Sequence, residues 1–277
     1  MQINEFKDRE EFLKYYSPLR NERILVESRI KQEKKNNKKW ELIGFCELCQ
    51  KDTKFKLDSK NINFRESLKC EHCNLINRWR FMLAYLTKIL QKMNKPSVFM
   101  YEQVTPLFKY AEKTFSNINL YGSEFLGYEK KPGEIVRNIR HEDSMNLSFN
   151  DNTFDVIVST DVFEHVPDIH ITLREAYRVL KENGTLLISI PFNISKKESI
   201  KRAVLENGKI KSLLPEMYHG NPMSAKGSLV FYDFGWDFLD FTRKAGFGDV
   251  FFLAYFSIFY GYIGNGFQSI IVAKKER

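Results

Sequence analysis

Four cysteines are the residues of this chain whose spacing points most directly to a chemical role. They form two C-x2-C pairs, Cys46 with Cys49 and Cys70 with Cys73, and 20 residues separate the pairs. Two residues between thiolates let a tight turn present both sulfurs to one tetrahedral ion. Two such pairs supply all four ligands and leave no position for water, so the spacing predicts a structural zinc site of the zinc-ribbon type.

A pair of disulfides or a redox dithiol is the competing interpretation of these cysteines. The chain contains no further cysteine, and disulfides are rare in cytoplasmic proteins, so zinc is favoured. His72 is a possible ligand by residue type, but four thiolates already complete a tetrahedral site. A module of about 40 residues buries too little surface to fold unaided, so it would need its metal.

Two apolar runs in the second half of the chain flank an amphipathic stretch. Residues 154–159 have strand length, residues 173–180 place apolar side chains at helical spacing, and Gly184 ends that stretch before a β-rich run over 185–190. A buried strand, a crossover helix that ends at glycine and another buried strand form a βαβ unit, which predicts a parallel sheet.

Polar side chains follow the first of these two strands. Asp161, Glu164 and His165 come directly after residues 154–159. Ligands bind beyond the carboxyl ends of the strands in open parallel sheets. Chemistry is therefore expected among these residues.

Residues 141–191 resemble the second half of a class I S-adenosylmethionine-dependent methyltransferase of the small-molecule (type 11) group. The group carries a D-x-x-x-L-x-F-x-x-x-x-F-D-x-V pattern, then an E-H pair and then R-V-L-K-x-x-G. The matching residues are Asp143, Leu147, Phe149, Phe154, Asp155, Ile157, Glu164, His165, Arg178, Val179, Leu180, Lys181 and Gly184, with isoleucine at 157 where valine is usual. The resemblance covers about Pro96 to the C-terminus.

This resemblance implies an α/β fold built on a Rossmann-like sheet, mostly parallel, with seven strands and the last one antiparallel. Four parts are expected along the chain. They are an N-terminal helical basic arm over 1–40, a zinc ribbon over 41–80, a linking helix over 81–95, and a methyltransferase domain over 96–277 with a lid insertion at 193–235.

The resemblance also implies S-adenosylmethionine as the cofactor, held where the first three strands end. After a first strand at 97–101, the turn over 102–106 contains no glycine, although the family usually has several there. Thr105 is a good helix N-cap, and the free N–H groups of the helix start would suit the carboxylate of the cofactor. Glu102 or Gln103 would bind its amino group.

Two further carboxylates match the family's cofactor contacts. Glu124 follows a second strand at 119–123 and would accept both ribose hydroxyls, and Asp143 follows a third strand near 135–139 and would meet the adenine amino group. The complete set of predicted cofactor contacts is Glu102, Gln103, Thr105, Glu124, Phe125, Asp143, Ser144, Met145 and Asp161.

Methyl transfer requires an acceptor in line with the sulfonium methyl group and often a base that takes a proton. Asp161 and His165 follow the fourth strand, and His219 lies in the lid insertion with Tyr218 and Asn221 beside it. We expect Asp161, His165 and His219 to be catalytic. The alternatives are that His165 only braces its loop and that the insertion is a surface excursion.

Charge is distributed unevenly along the chain. Residues 1–95 hold 22 Lys and Arg against 13 Asp and Glu, a net +9, whereas residues 96–277 hold 21 against 22, a net −1. The basic residues include Lys31, Lys34, Lys35, Lys38 and Lys39 in the arm and Arg78 and Arg80 around Trp79. They form either a solvated face or a surface for an anionic partner such as nucleic acid.

Three functions are consistent with these features. The leading one is a methyltransferase that acts on a small-molecule or sugar-linked acceptor. The second is an RNA base methyltransferase that uses the basic zinc module, and the third is a non-catalytic protein that kept the fold. The N-terminus has no apolar signal core, and no run of about 18 apolar residues could span a bilayer, so a cytoplasmic protein is expected.

Overall fold

The computed structural model describes residues 1–37, 40–57 and 62–276. The helices in these ranges are α1 (Arg9–Asn36), α2 (Phe64–Ser67), α3 (Asn77–Leu90), α4 (Pro106–Thr114), α5 (Ile169–Val179) and α6 (Asp237–Lys244). The strands are β1 (Gln2–Phe6), β2 (Leu42–Cys46), β3 (Lys51–Lys56), β4 (Lys69–Cys70), β5 (Ser97–Met100), β6 (Asn119–Gly122), β7 (Ile135–Val136), β8 (Ile139–Arg140), β9 (Phe154–Thr160), β10 (Leu180–Ser189), β11 (Ile200–Lys201), β12 (Ala203–Glu206), β13 (Lys209–Ser212), β14 (Tyr218–Asn221), β15 (Ser224–Leu229), β16 (Tyr232–Asp233), β17 (Asp249–Phe256) and β18 (Gln268–Lys274).

Seven strands form the main sheet in the order β1-β17-β18-β10-β9-β5-β6. Strands β6, β5, β9 and β10 are parallel, and β5, β9 and β10 bury apolar residues such as Phe99, Ile157 and Leu187, as expected for a parallel sheet covered on both faces. The last strand, β18, pairs antiparallel with β10. The Rossmann-like sheet expected from the sequence is therefore confirmed.

The seven strands are not all the expected ones. The third strand predicted near 135–139 does not join the sheet and instead forms the short hairpin β7–β8. Arg137 and Asn138 at its tip both have positive φ, 51° and 66°, the conformation of a two-residue hairpin turn, which an extended strand cannot contain. A single parallel bridge between Glu124 and His141 marks where the third strand would lie.

The seventh strand comes from the N-terminus, where the sequence predicted only helix. Gln2–Phe6 pairs antiparallel with β17, and Phe6 lies opposite Phe252. Asp8 then begins α1, because its extended backbone lets the side chain accept the N–H of Glu11 at 2.9 Å. Of the predicted basic cluster on this arm, Lys38 and Lys39 lie outside the described residues.

The crossover helix α5 ends earlier than predicted. It stops at Val179, and Gly184 lies inside β10 instead of at the helix end. Asn183 adopts a left-handed conformation with φ 62°. A Cβ on Gly184 would lie 2.7 Å from Cγ of Leu180 and 3.1 Å from the carbonyl oxygen of Asp155, so glycine is needed for close packing of the chain after this turn.

The chain divides into two compact units. The first comprises Met1–Met93 and Phe252–Ile270, and the second comprises Asn94–Phe251 and Ile271–Arg277. The sequence-based division assigned every residue from 96 onward to one domain, whereas the segment Phe252–Ile270 belongs to the first unit.

Buried polar groups of the first unit hold this C-terminal segment. The guanidinium of Arg80, which is fully buried, donates to the carbonyl oxygens of Tyr260 at 2.8 Å and Gly261 at 3.1 Å. Oε1 of Glu27 accepts the N–H groups of Gly264 at 2.7 Å and Gly266 at 3.0 Å. These bonds satisfy backbone groups that a buried loop would otherwise leave unpaired.

The insertion at 193–235 is built from short antiparallel pairs in the second unit. Strand β12 pairs with β13, β14 pairs with β15, and β11 pairs with β16. Strand β14 carries His219, one of the predicted catalytic residues. Among the helices of the described ranges, none is both long and apolar enough to cross a membrane.

Candidate functional site

The order of the parallel strands creates a crevice beyond the end of β5. The chain continues from β5 to β6 on one side and reaches β9 on the other, so the strand order reverses between β5 and β9. Ligands of open α/β sheets bind at such a switch point. Three carboxylates follow the three strands there: Glu102 after β5, Glu124 after β6 and Asp161 after β9.

Glu102 is the carboxylate that follows β5, next to the point where the strand order reverses. It is 5% exposed, and one oxygen accepts a hydrogen bond from the hydroxyl group of Thr160, the last residue of β9. The bond therefore joins the ends of the two strands between which the order reverses.

The Glu124 side chain forms hydrogen bonds to the glycine-free turn at residues 102–106. Its Oε1 accepts the backbone N–H groups of Gln103 at 2.8 Å and of Val104 at 3.0 Å. Burial raises the pKa of the Glu124 carboxyl, and these two hydrogen bonds oppose that shift. Because a carboxylate accepts through two oxygens, Oε2 can bind a ligand while Oε1 holds the turn.

The side chain of Gln103 connects the same turn to the β7–β8 hairpin. Its Nε2 donates to the carbonyl oxygen of Asn138 at 2.9 Å, and its Oε1 accepts the N–H of Arg140 at 2.9 Å. Both ends of the amide are thus engaged within the protein. This supports a positioning role for the Gln103 side chain, and it leaves Glu102 as the better candidate for the amino group of a cofactor.

Helix α4 begins as the sequence predicts. Thr105 has extended backbone angles and accepts the N–H of Phe108 at 3.2 Å, and Pro106 occupies the first helical position. The helix start directly follows the turn at the crevice, so its positive dipole end is available to an anionic group there.

Asp143, Ser144 and Met145 lie in a tight turn after the Glu124–His141 bridge. Oδ1 of Asp143 accepts the N–H of Met145 at 2.9 Å, and Oγ of Ser144 lies 3.4 Å from the hydroxyl of Thr172. Asp143 lies two residues after His141, which bridges to Glu124. The two predicted cofactor carboxylates, Glu124 and Asp143, therefore lie on neighbouring segments.

Aromatic rings line the segment after β6. The ring of Phe125 is 49% exposed and lies 4.9 Å from that of Tyr128 and 5.5 Å from that of His141, centroid to centroid. Burial raises the pKa of Tyr128, and the negative charge of Asp143 adds to this. Phe125 thus offers a partly exposed ring face next to the predicted adenine-binding turn.

Asp161 has a strained backbone at the end of β9. Its φ is 53°, its N–H donates to the carbonyl oxygen of Ser189 at 2.7 Å, and its Oδ1 lies 3.4 Å from the Ser189 hydroxyl. Non-glycine residues in this region of φ cost roughly 1–3 kcal/mol and cluster at functional sites.

Comparison with known proteins agrees with this geometry. Residues 104–188 match the family model described as a methyltransferase domain. This segment of the chain is therefore similar to a methyltransferase domain. The matched range includes Glu124, Asp143, Asp161, all of β9 and most of β10.

Curated relatives of the methyltransferase domain match over short segments. Demethylmenaquinone methyltransferase of a Geobacillus species is 32% identical over 85 residues, 28% of this chain and 36% of the relative. The 2-methyl-6-phytyl-1,4-hydroquinone methyltransferase of a Synechocystis species is 34% identical over 61 residues, 22% of this chain and 19% of the relative. The chain thus spans about a third or less of the length of these relatives.

Solved structures of methyltransferases are similar in part. An S-adenosylmethionine-dependent methyltransferase of Methanosarcina mazei has a TM-score of 0.42 at 14% identity, covering 68% of this chain and 97% of its own. A phosphoethanolamine N-methyltransferase of Haemonchus contortus, solved with S-adenosylhomocysteine, has a TM-score of 0.43 at 14% identity, covering 72% of this chain and 53% of its own.

Two motif residues of the matched segment make several contacts within the protein. Arg178 donates to the carbonyl oxygens of Leu147 at 2.9 Å and Phe149 at 2.8 Å, and it forms ion pairs with Asp151 and Glu175. The motif arginine therefore holds the turn that follows Asp143.

Asp155 of the same motif is also structural. Its Oδ2 accepts the N–H of Ser97 at 2.7 Å, at the start of β5, and pairs with Nζ of Lys181 at 2.7 Å. This joins β5, β9 and β10 at the end of the sheet opposite the crevice.

The two predicted catalytic histidines of the methyltransferase domain lie together. The ring centroids of His165 and His219 are 5.1 Å apart, although the residues are far apart in the sequence. Glu164 lies between them, 3.6 Å from Nε2 of His165 and 3.4 Å from Nδ1 of His219 through its Oε1. The structure thus brings a third group, Glu164, into the predicted catalytic set.

The four cysteines converge in the first unit. The sulfur atoms of Cys46, Cys49, Cys70 and Cys73 all lie within 4.8 Å of one another, and all four are free thiols. Burial raises the pKa of Cys49 to about 12. Four thiols in such proximity fit the ligand set of a tetrahedral zinc ion, which binds them in the deprotonated form.

Hydrogen bonds around the cysteines fit the same ligand set. Sγ of Cys70 lies 3.2 Å from the hydroxyl of Thr53 and accepts the N–H of His72 at 3.4 Å. The His72 ring instead lies with Nε2 3.0 Å from the carbonyl oxygen of Asp52. This side chain therefore stays outside the thiolate cluster.

The sequence indicated Glu164 beside His165 as a place for chemistry, but not its contact with His219. The contacts of Tyr128 with Asp143 and of Thr160 with Glu102 were not predicted. Tyr128 and Thr160 carry no motif, and only the folded chain places them at the site.

Proposed function

We propose that the protein transfers a methyl group from S-adenosylmethionine to a small-molecule or sugar-linked acceptor. The observation that supports this proposal is that Glu102, Glu124 and Asp161 follow the three strands around the switch point, in a chain whose residues 104–188 match a methyltransferase domain. In this proposal the helix start at Thr105 receives the cofactor carboxylate, and Glu102 receives its amino group.

The remaining contacts follow the same order along the sheet. Oε2 of Glu124 accepts the ribose hydroxyls while Oε1 holds the turn, and Asp143 accepts the adenine amino group. The exposed face of Phe125 packs on the adenine ring. Asp161, whose strained backbone sets its side chain after the central strand, faces the transferring methyl group.

Ring-bearing acceptors are the first class to examine. The curated relatives are named for demethylmenaquinone and for a phytyl hydroquinone. Methyl transfer to oxygen or carbon forms the new bond as the bond from methyl to the sulfonium sulfur breaks, which releases S-adenosylhomocysteine and a proton. A nearby base would take that proton, and His165 and His219 are the candidates.

The four cysteines would hold a structural zinc ion in a module over residues 41–80. The convergence of four thiols and their N–H and O–H contacts support this assignment. Four thiolates leave no open coordination position, so this ion would stabilise the first unit and take no part in methyl transfer.

Isothermal titration with S-adenosylhomocysteine tests the cofactor site. We expect saturable binding of one ligand per chain. Absence of heat at millimolar ligand would overturn the proposal. Transfer of a tritium-labelled methyl group to a panel of hydroquinones, phenols and sugars then identifies the acceptor class.

The variant Asp161→Asn separates binding from turnover. It should retain S-adenosylhomocysteine binding and lose methyl transfer, whereas Asp240→Asn, an exposed carboxylate on α6, should leave both unchanged. Equal turnover of the two variants would show that Asp161 has no role in the reaction.

A further inference from the structure

Glu164 is a buried carboxylate that lacks a hydrogen-bond partner for either oxygen. Its side chain is 1% exposed, and it is among the buried polar groups left unpaired in the described part of the chain. Its Oε1 faces Nε2 of His165 at 3.6 Å and Nδ1 of His219 at 3.4 Å. Burying a carboxylate without compensation is costly, so a positive group is expected at this point.

Nε2 of His165 faces Glu164, and the hydrogen bond at Nδ1 determines whether Nε2 carries a proton or a lone pair. Nδ1 lies 2.8 Å from the carbonyl oxygen of Leu229. Because a carbonyl only accepts, Nδ1 carries the proton, and Nε2 of the neutral ring is an acceptor. Two acceptors, Nε2 and the Glu164 oxygen, then face each other in a buried place, which requires a cation or a proton between them.

The distances favour a metal ion over a shared proton. A charge-assisted N–H···O bond is about 2.7–2.9 Å long, shorter than both separations here. Two ligands that each lie about 2.0–2.2 Å from a tetrahedral ion are roughly 3.4 Å apart. The ligand atoms of Glu164, His165 and His219 also all lie within 4.8 Å of one another. Metal-bound histidines typically donate their other ring N–H to a carbonyl or carboxylate, as His165 does.

We propose that Glu164, His165 and His219 bind one divalent transition-metal ion. Two imidazoles and a carboxylate suit zinc, manganese, iron(II) or cobalt(II) better than calcium, which prefers oxygen ligands. Three protein ligands leave at least one coordination position for another group, in contrast to the four-thiolate cluster. The two sites differ in ligand chemistry and lie in different units of the chain.

The location of the proposed ion indicates which group would fill its open coordination position. Glu164 and His165 lie in the short turn Phe163–His165 that follows Asp161, and His219 approaches from β14 of the insertion. Resting on the proposed function, we infer an acceptor with a hydroxyl oxygen that ligates the ion. The ion would lower the pKa of that hydroxyl, its proton would pass to solvent water, and the oxygen would attack the methyl group as the C–S bond breaks and S-adenosylhomocysteine leaves. In this arrangement His165 and His219 act as ligands instead of bases.

Manganese binding provides a test that does not depend on turnover. The full chain is loaded with one equivalent of zinc, which the softer thiolates take up in preference to the histidine site, then dialysed and titrated with Mn²⁺ while free Mn²⁺ is followed by electron paramagnetic resonance. We expect one bound Mn²⁺ per chain. Glu164→Gln and His219→Ala should each weaken binding by more than the roughly 10–100-fold that loss of an outer-shell partner costs.

The control is His170→Ala, which removes an exposed imidazole on α5 in the same unit. It should bind Mn²⁺ as the wild type does. Because Glu164 is buried, Glu164→Gln could fail to fold, and His219→Ala then decides the question, since His219 lies on a two-stranded pair with 34% of its side chain exposed.

Two results would overturn the metal site: no Mn²⁺ or Co²⁺ bound beyond the thiolate cluster at millimolar metal, or equal affinity in wild type and His219→Ala. Titration with S-adenosylhomocysteine, run separately, keeps the two proposals apart. Metal binding without cofactor binding would refute the methyltransferase function and leave the metal site intact, and the reverse result would do the opposite.

Discussion

Oε1 of Glu124 accepts the backbone N–H of Gln103 at 2.8 Å, so the acid after the second parallel strand fastens the turn after the first. Glycine-rich turns let the backbone approach a cofactor closely. In this chain the turn has no glycine, and a carboxylate on the neighbouring strand holds its N–H groups in place. The glycine-free turn is therefore compatible with a formed crevice.

Removal of the Glu124 carboxylate should weaken cofactor binding. Glu124→Ala leaves the half-buried N–H groups of Gln103 and Val104 without this acceptor. The loss costs about 1–3 kcal/mol and corresponds to a roughly 5–150-fold loss of affinity if the turn shifts. Titration calorimetry with S-adenosylhomocysteine measures the change. The control Glu112→Ala, at an exposed position on α4, should bind normally, and equal affinity of both variants would contradict the role of Glu124.

The pH dependence of stability should report on Glu124 as well. Burial raises the pKa of its carboxyl in the folded state, so the folded protein binds this proton more tightly than the unfolded chain. The contribution to stability is present below the unfolded pKa of 4.5 and is lost as pH rises through the higher folded pKa.

A comparison of wild type with Glu124→Gln isolates this contribution. Urea unfolding at several pH values between 4.5 and 7 should show wild type gaining stability relative to the variant as pH falls. A difference in unfolding free energy that does not vary over this window would contradict the raised pKa.

Removal of metal from the four-cysteine cluster should destabilise the first unit. Zinc-dependent modules of this size lose their fold without the ion, so a strong chelator should lower the thermal midpoint, and added zinc should restore it. Cys73→Ser should bind less than one zinc per chain. His72→Ala should keep its zinc, because the His72 ring faces Asp52 and lies outside the cluster.

Loss of the motif arginine should destabilise the methyltransferase domain. Arg178→Met removes charge-assisted bonds to the Leu147 and Phe149 carbonyl oxygens and should lower the unfolding free energy by about 1–3 kcal/mol. Arg174→Met, at an exposed position on the same helix, should change it by less than about 0.5 kcal/mol. Denaturant unfolding of both variants measures the difference. Equal unfolding free energies of the two variants would contradict a structural role for Arg178.

Local features of the chain were determined by the sequence alone. The spacing of Cys46, Cys49, Cys70 and Cys73 indicated one four-thiolate cluster, because the geometry of each C-x2-C turn is local. The run at 154–159 and the cap at Thr105 indicated the βαβ unit and the start of α4, because strand burial and N-capping depend on neighbouring residues.

Pairings between distant segments were decided by the tertiary structure. A hairpin turn at Arg137 and Asn138 interrupts the predicted third strand. The sequence did not indicate this turn, because neither residue with the left-handed backbone is a glycine. Strand β1 took the free edge beside β17, a pairing that periodicity within residues 1–40 cannot reveal.

The same limit applies to the sites. The E-H pair marked His165, but the meeting of Glu164 with His219 depends on how the insertion folds over the end of β9. Which side chains share a cavity is set by long-range packing, and a single sequence records only the local part of that information.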